Sequence, residues 1–159
     1  MHAEKLVIKA RQIAQKAHEG QFRHDKITPY FNHVEAVAIH VGESPYSMPH
    51  YFSARGYGDY YGLVLPYLQT IGYLHDILED TTVTIDDLNK EFPVGIVEPV
   101  ILLTKVKDKN WNYVKYLTDI KLDLLALVVK WTDLWHNLSD LKPGDLRDKY
   151  ELSKWFLEN

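Results

Sequence analysis

Residues 63–80, LVLPYLQTIGYLHDILED, decide how the rest of the chain is read. Ile71, Leu74, Ile77 and Leu78 recur at helical spacing on one side. At roughly 100° per residue, His75, Asp76, Glu79 and Asp80 share a neighbouring arc of about 140°. The spacing predicts one long, mostly apolar helix ending near Asp80, with Pro66 tolerated only in its first turn. Gly72 opens space one turn before the polar cluster. Carboxylates stacked this closely repel one another by about half a kcal/mol per pair in water and by more when buried, so a positive charge is expected beside them.

Residues 121–141, KLDLLALVVKWTDLWHNLSDL, repeat the arrangement. Lys130, Asp133, His136, Asn137 and Asp140 project within about 60° of Asp133. Leu124, Leu127, Trp131, Leu134, Trp135 and Leu138 cover the other side, with both tryptophans read as core. Another helix is expected to start near Asn32, an N-cap residue, burying Val34, Val37, Ala38 and Val41 and placing His33 in its first turn. Each stripe alone has a bland reading: a solvated acidic face with an incidental histidine, or an Asp133 simply paired with Lys130. Together they have a sharper one. Metal sites in helical bundles are built from side chains projecting inward from different helices, and this nitrogen and oxygen donor set suits Mn²⁺, Fe²⁺, Zn²⁺ or Mg²⁺.

Outward from these stretches the chain stays helical. Apolar periodicity predicts a helix over 3–18, then a polar loop containing Pro29. The Gly-, Pro- and Tyr-rich segment 42–62 reads as a loop insertion, either a lid or disordered. Thr84 and Asp87 have capping-box spacing before a short helix, Pro93 opens the next, and further patterns cover 111–118, 121–141 and 144–157. With no alternating strand, the expectation is an all-α single domain of about seven helices over 1–159.

Composition narrows the function classes. A chain of 159 residues, 46% hydrophobic, suits one domain, and no synthetase or regulatory domain is expected to fit beside it. A net charge of −4 leaves no basic field for long nucleic acid. The absence of cysteine excludes disulfides, thiolate nucleophiles and cysteine-bound zinc, and makes the cytoplasm the default compartment. Neither a signal-peptide core nor an apolar run of about 20 residues is present, so no membrane role is expected.

Five ordered motifs carry a family resemblance: AHEGQFR at 17–23, TPYFNH at 28–33, LHDILEDT at 74–81, LTK at 103–105 and VKWTDLWHNL at 129–138. They resemble the HD-domain metal-dependent phosphohydrolases. Within these they are similar to the alarmone, or (p)ppGpp, hydrolase branch, comprising the hydrolase half of the RelA/SpoT proteins and small stand-alone relatives. The resemblance implies one divalent ion, commonly Mn²⁺, held by His33, His75, Asp76 and Asp133. It assigns Glu79, supported by Asp80, to the attacking water, Asn137 to substrate contact, and Arg23 to the face of a guanine base. His24, Lys26, Lys130 and Tyr150 are further candidate substrate contacts, the lysines together with Lys142 and Arg147 as neutralisers of polyphosphate. Departures from the pattern spare the metal ligands and touch the nucleotide pocket: Leu134 and Trp135 after Asp133, Asp25-Lys26-Ile27 in place of a glycine, His24 in place of lysine, and Val34 in place of proline.

The expected function is (p)ppGpp 3′-pyrophosphohydrolysis, with a guanine nucleotide as partner. One alternative is the same metal core acting on a deoxynucleoside triphosphate, a nucleoside monophosphate or NADPH. A second, from another class, is a non-catalytic nucleotide sensor.

Overall fold

Tyr61–Leu74 forms the helix around which the others assemble, because its Leu68, Ile71 and Leu74 are fully buried. The structure, a computed structural model, describes residues 3–44, 61–106 and 111–159, so the expected insertion lies mostly outside the described residues. In chain order the elements are α1 (Ala3–Ala17), α2 (Tyr30–His40) with a following 3-10 turn (Val41–Glu43), α3 (Tyr61–Leu74) and α4 (Ile77–Asp80). They continue with α5 (Ile85–Glu91), α6 (Val94–Leu103), α7 (Tyr113–Leu122), α8 (Leu124–Asp140) and α9 (Asp145–Glu158). Helix α3 packs against α1, α2, α6 and α8. Among the described residues there is no strand, only an isolated antiparallel bridge between Phe22 and Pro29. The class is all-α, as the periodicity implies, and among the described residues no helix is long and apolar enough to cross a membrane.

The sequence pattern over 63–80 is one helix, whereas the structure breaks it at His75 and Asp76. Asp76 sits at φ −103°, ψ 0°, and its carbonyl accepts from the amides of Glu79 at 3.2 Å and Asp80 at 3.0 Å, which starts α4 afresh. The break has a chemical consequence. Adjacent residues on an unbroken helix point about 100° apart, and the turn lets His75 and Asp76 converge instead.

Other boundaries move for local reasons. Helix α2 begins at Tyr30, before Asn32, because Pro29 (φ −54°, ψ 136°) takes the N-cap position and its carbonyl accepts from Asn32 N at 3.1 Å. Pro66 lies beyond the first turn of α3; the amide it lacks would have bonded Gly62, on the exposed start of the helix. Asp123 caps α8 by accepting from Ala126 N at 2.8 Å, so the expected helix over 121–141 starts at Leu124. The Thr84–Asp87 capping box is present in full. The two tryptophans are not core. Trp135 is 41% exposed beside His40, and Trp131 is partly buried under α9, its indole N–H donating to Glu158 at 2.9 Å.

Two details place the loop and helices that carry the polar stripes. A Cβ on Gly72 would lie 2.8 Å from Ala38 Cα, so α2 and α3 touch backbone to backbone, bringing His33 and His75 to one end of the pair. The loop between α1 and α2 closes through Arg23 N to Thr28 O at 2.8 Å and Tyr30 N to Gln21 O at 2.9 Å. Within it Lys26 adopts φ 61°, a left-handed conformation costing about 1 kcal/mol in a non-glycine residue. Asp25 offsets that by accepting from the Ile27 and Thr28 amides and the Thr28 hydroxyl, which hold its carboxyl down at about 2.

Replacing Gly72 with alanine is expected to destabilise the fold by about 1–3 kcal/mol, lowering the thermal midpoint by several degrees. An unchanged urea midpoint would show that α2 and α3 do not meet so closely.

Candidate metal centre and cleft

Three places in the chain deliver four side chains to one point: the first turn of α2 (His33), the α3–α4 break (His75 and Asp76) and the middle of α8 (Asp133). His33 Nε2 lies 3.2 Å from Asp133 Oδ1 and 3.7 Å from Asp76 Oδ2. His75 Nε2 lies 2.9 Å from Asp76 Oδ2 and 3.7 Å from Asp133 Oδ1. Both Nε2 atoms are buried without a hydrogen-bond partner, although oxygens stand this close. Leaving a buried polar atom unsatisfied costs about 1–3 kcal/mol, and the surroundings here are lone pairs converging from nitrogen and oxygen. That donor set fits a divalent cation. His33, His75 and Asp76 alone offer ligand atoms all within 4.8 Å of one another.

Each group is also held from a second direction, which fixes its orientation. His75 Nδ1 donates to the Gly72 carbonyl at 2.7 Å, and His33 Nδ1 meets His136 Nδ1 at 2.8 Å. Tyr30 donates its hydroxyl to Asp76 Oδ2 at 2.6 Å. Lys130 Nζ donates to Asp133 Oδ2 at 2.6 Å, and Asn137 Nδ2 donates to Asp133 Oδ1 at 2.6 Å.

Charge follows the same geometry. Burial pushes the Asp76 and Asp133 carboxyls up, but His75 beside Asp76 and Lys130 beside Asp133 hold both below the ordinary range. Lys130 is likewise held well above its usual value, the Asp133 charge overcoming burial. For His75, burial pulls down and the two carboxylates lift more strongly, raising it to about 10. His33 is lowered by burial, and His136 is pushed down to about 4 by burial, with His33 and Arg23 adding to the effect. Without an ion the centre therefore keeps a proton on His75.

Above the centre opens a cleft of about 280 Å³, lined by Asp76 and Asp133, while His33 and His75 are not part of its lining. Arg23, His24, Glu79, Asp80, Lys130, Asn137 and Tyr150 line it, so the structure gathers these sequence candidates in one place. Lys130, however, is only 6% exposed and spends its ammonium on Asp133. Lys26 stands outside the lining, exposed on the α1–α2 loop. Arg147 is occupied too, donating to the Leu138 and Leu141 carbonyls at 2.8 Å each, which closes the C-terminal end of α8.

Several partners in this cleft carry no signal in composition or periodicity. Lys105 grips the Glu79 carboxylate through Nζ at 3.1 and 3.2 Å and through its backbone amide at 3.2 Å. Arg23 is clasped by Asp140 at 2.9 and 3.0 Å and by Asn137 Oδ1 at 3.0 Å. Asn137 thereby joins Arg23 to Asp133. Burial, then Asp76 and Glu79, raise the Asp80 carboxyl. Tyr30 and Lys105 do fall inside the quoted motifs, and His136 and Asp140 on the polar stripe of α8, which is the only sequence trace of their roles.

No protein-family model matches the chain. In sequence it is 28% identical over 156 residues, 91% of its length, to a guanosine-3′,5′-bis(diphosphate) 3′-pyrophosphohydrolase of Borreliella burgdorferi. It is 30% identical over 144 residues, 85% of its length, to a protein of the same name from Haemophilus influenzae. To the bifunctional (p)ppGpp synthase/hydrolase SpoT of Escherichia coli it is 31% identical over 152 residues, 90% of its length. The chain spans about one fifth of the length of these relatives. A solved structure described as a metazoan ortholog of SpoT that hydrolyzes ppGpp superposes with a TM-score of 0.65 at 21% identity, covering 96% of this chain and 83% of that one. That likeness establishes the helical fold.

With Asp76 and Asp133 raising His75 to about 10, an ion bound through its Nε2 would displace a proton. Binding of Mn²⁺ is expected to release about one proton near neutral pH and to tighten roughly tenfold for each unit of rising pH. Calorimetry in buffers of different ionisation enthalpy measures the released proton; zero release would contradict this charge balance.

Proposed function

From the similarity of nine-tenths of this chain to guanosine-3′,5′-bis(diphosphate) 3′-pyrophosphohydrolases, we propose that it is a divalent-metal-dependent phosphohydrolase acting on (p)ppGpp. The observation that carries the reading is the pair of buried, unbonded imidazole nitrogens facing two carboxylates, with Glu79 and Asp80 directly above them. In the reaction a water oxygen bonds to the phosphorus on the nucleotide 3′ oxygen and the bond between them breaks. Pyrophosphate leaves, the 3′ oxygen takes up a proton, and GDP or GTP remains.

A divalent ion held by His33, His75, Asp76 and Asp133, Mn²⁺ in this reading, supplies positive charge against the phosphoryl oxygens and makes nearby water more acidic. The rest is the work of side chains. Glu79 orients the water and accepts its proton, and Lys105, bonded to both Glu79 oxygens, sets where that carboxylate stands. Asp80, its carboxyl raised beside Asp76 and Glu79, can hold the proton in transit. Asn137 and Arg23, tied to each other and to the centre through Asp133, present a fixed polar wall to the nucleotide, with His24 and Tyr150 completing the lining. Lys26, on the loop that carries Arg23, meets the substrate from the loop side. The reading makes the chain a single HD domain of the cytoplasm that removes alarmone in the stringent response.

The substitution Glu79→Gln is expected to leave fold and metal uptake intact and to lower turnover at least about 100-fold, measured as pyrophosphate released from ppGpp with Mn²⁺. An unchanged rate removes Glu79 from the mechanism. Release of inorganic phosphate from a mononucleotide, with ppGpp untouched, would replace the substrate.

A further inference from the structure

We propose that His136 is a positioning residue for the metal centre: it accepts the Nδ1 proton of His33 and thereby fixes the tautomer whose Nε2 lone pair faces the centre. The assignment rests on reading the centre as a divalent-ion site and extends it to a residue outside the four ligands. The two rings stand 4.9 Å apart between centroids, with their Nδ1 atoms 2.8 Å apart. A contact that short between two imidazole nitrogens holds one proton, so one ring donates and the other accepts.

The direction follows from the other end of His33. Its Nε2 is buried, without a hydrogen bond, 3.2 Å from Asp133 Oδ1 and 3.7 Å from Asp76 Oδ2. A cation at that point needs a lone pair on Nε2, which leaves the ring proton on Nδ1. His136 Nδ1 must then offer its own lone pair and carry the His136 proton on Nε2. His75 obeys the same rule through a different acceptor, the Gly72 carbonyl. A carbonyl can only accept, so His75 is fixed in one tautomer by the backbone. A histidine can also donate, so the orientation of His33 depends on which way one shared proton lies. His136 stands on α8 three residues after Asp133. That helix therefore supplies one ligand and the acceptor for another from a single face.

The test measures Mn²⁺ uptake by the full chain without nucleotide, for the wild type, His136→Gln and His136→Leu. A glutamine oxygen can take the His33 proton and leucine cannot. His136→Leu is expected to weaken Mn²⁺ binding by about 10- to 100-fold and His136→Gln by no more than about threefold, with circular dichroism unchanged in both. Equal affinity in the wild type and His136→Leu overturns the assignment, as does an equal loss in both variants, which would mark ring shape as the requirement. Should His136→Leu not fold, the ring ¹⁵N signals of the wild type loaded with diamagnetic Zn²⁺ decide. His33 protonated at Nδ1 with His136 protonated at Nε2 supports the assignment; His33 protonated at Nε2 overturns it. A wrong substrate leaves these readouts untouched, whereas a wild type that takes up no divalent ion overturns both the divalent-ion reading and this one.

Discussion

Two carboxylates buried against two imidazoles form the constraint on which the rest of the molecule depends. Charge in a protein interior is tolerated only when paired and hydrogen-bonded, and truncating one partner of such a group leaves the other exposed to the full desolvation cost. Asp133 meets this with Lys130 and Asn137 on its own helix, and Asp76 with Tyr30 from α2. The imidazole Nε2 atoms are not met by any hydrogen bond. Their partner has to come from outside the chain, as a proton or as a cation.

The backbone devices serve that convergence. Helix α3 has to stop at Leu74 because its next two residues must face the same point, and the carbonyl of Asp76 begins α4 at once. Gly72 does two things in one position: it lets α2 approach, which brings His33, and it lends its carbonyl to His75. Replacing either contact would displace a ligand without touching the ligand itself. This is why the cluster sits on helix ends and a break, where adjacent side chains can share a direction that a regular helix denies them.

How much of this is legible beforehand depends on range. The helical class and most elements follow from apolar spacing, and the Thr84–Asp87 box from three residues alone, because both are local. The four candidate ligands follow from two polar stripes and ordered motifs. What periodicity misreads is the break at His75, since the hydrophobic spacing continues across it and only a tertiary demand interrupts it. Trp135 misleads for the opposite reason: it falls on the apolar side of α8, where Leu127 and Leu134 are buried, but at the margin of that side beside His40, and 41% of it stays exposed. Partnerships such as Arg23 with Asp140 or Glu79 with Lys105 join residues 117 and 26 positions apart, and nothing local to either residue encodes them.

Charge in the cleft links the centre to the proposed substrate. Among the residues lining it, Asp76, Glu79, Asp80 and Asp133 oppose Arg23, Lys105 and Lys130, and the proton on buried His75 beneath them brings the sum to zero. A cleft with no net positive charge offers a polyphosphate little attraction. A divalent ion that displaced the His75 proton would bring the balance to one positive charge. On the proposed function, the same ion would also help to draw the nucleotide in. Lys105 and Arg23 are already tied to Glu79 and Asp140, so the ammonium and guanidinium groups alone do not supply this attraction. On that reading, binding of the cation and binding of the anionic nucleotide are coupled through one site.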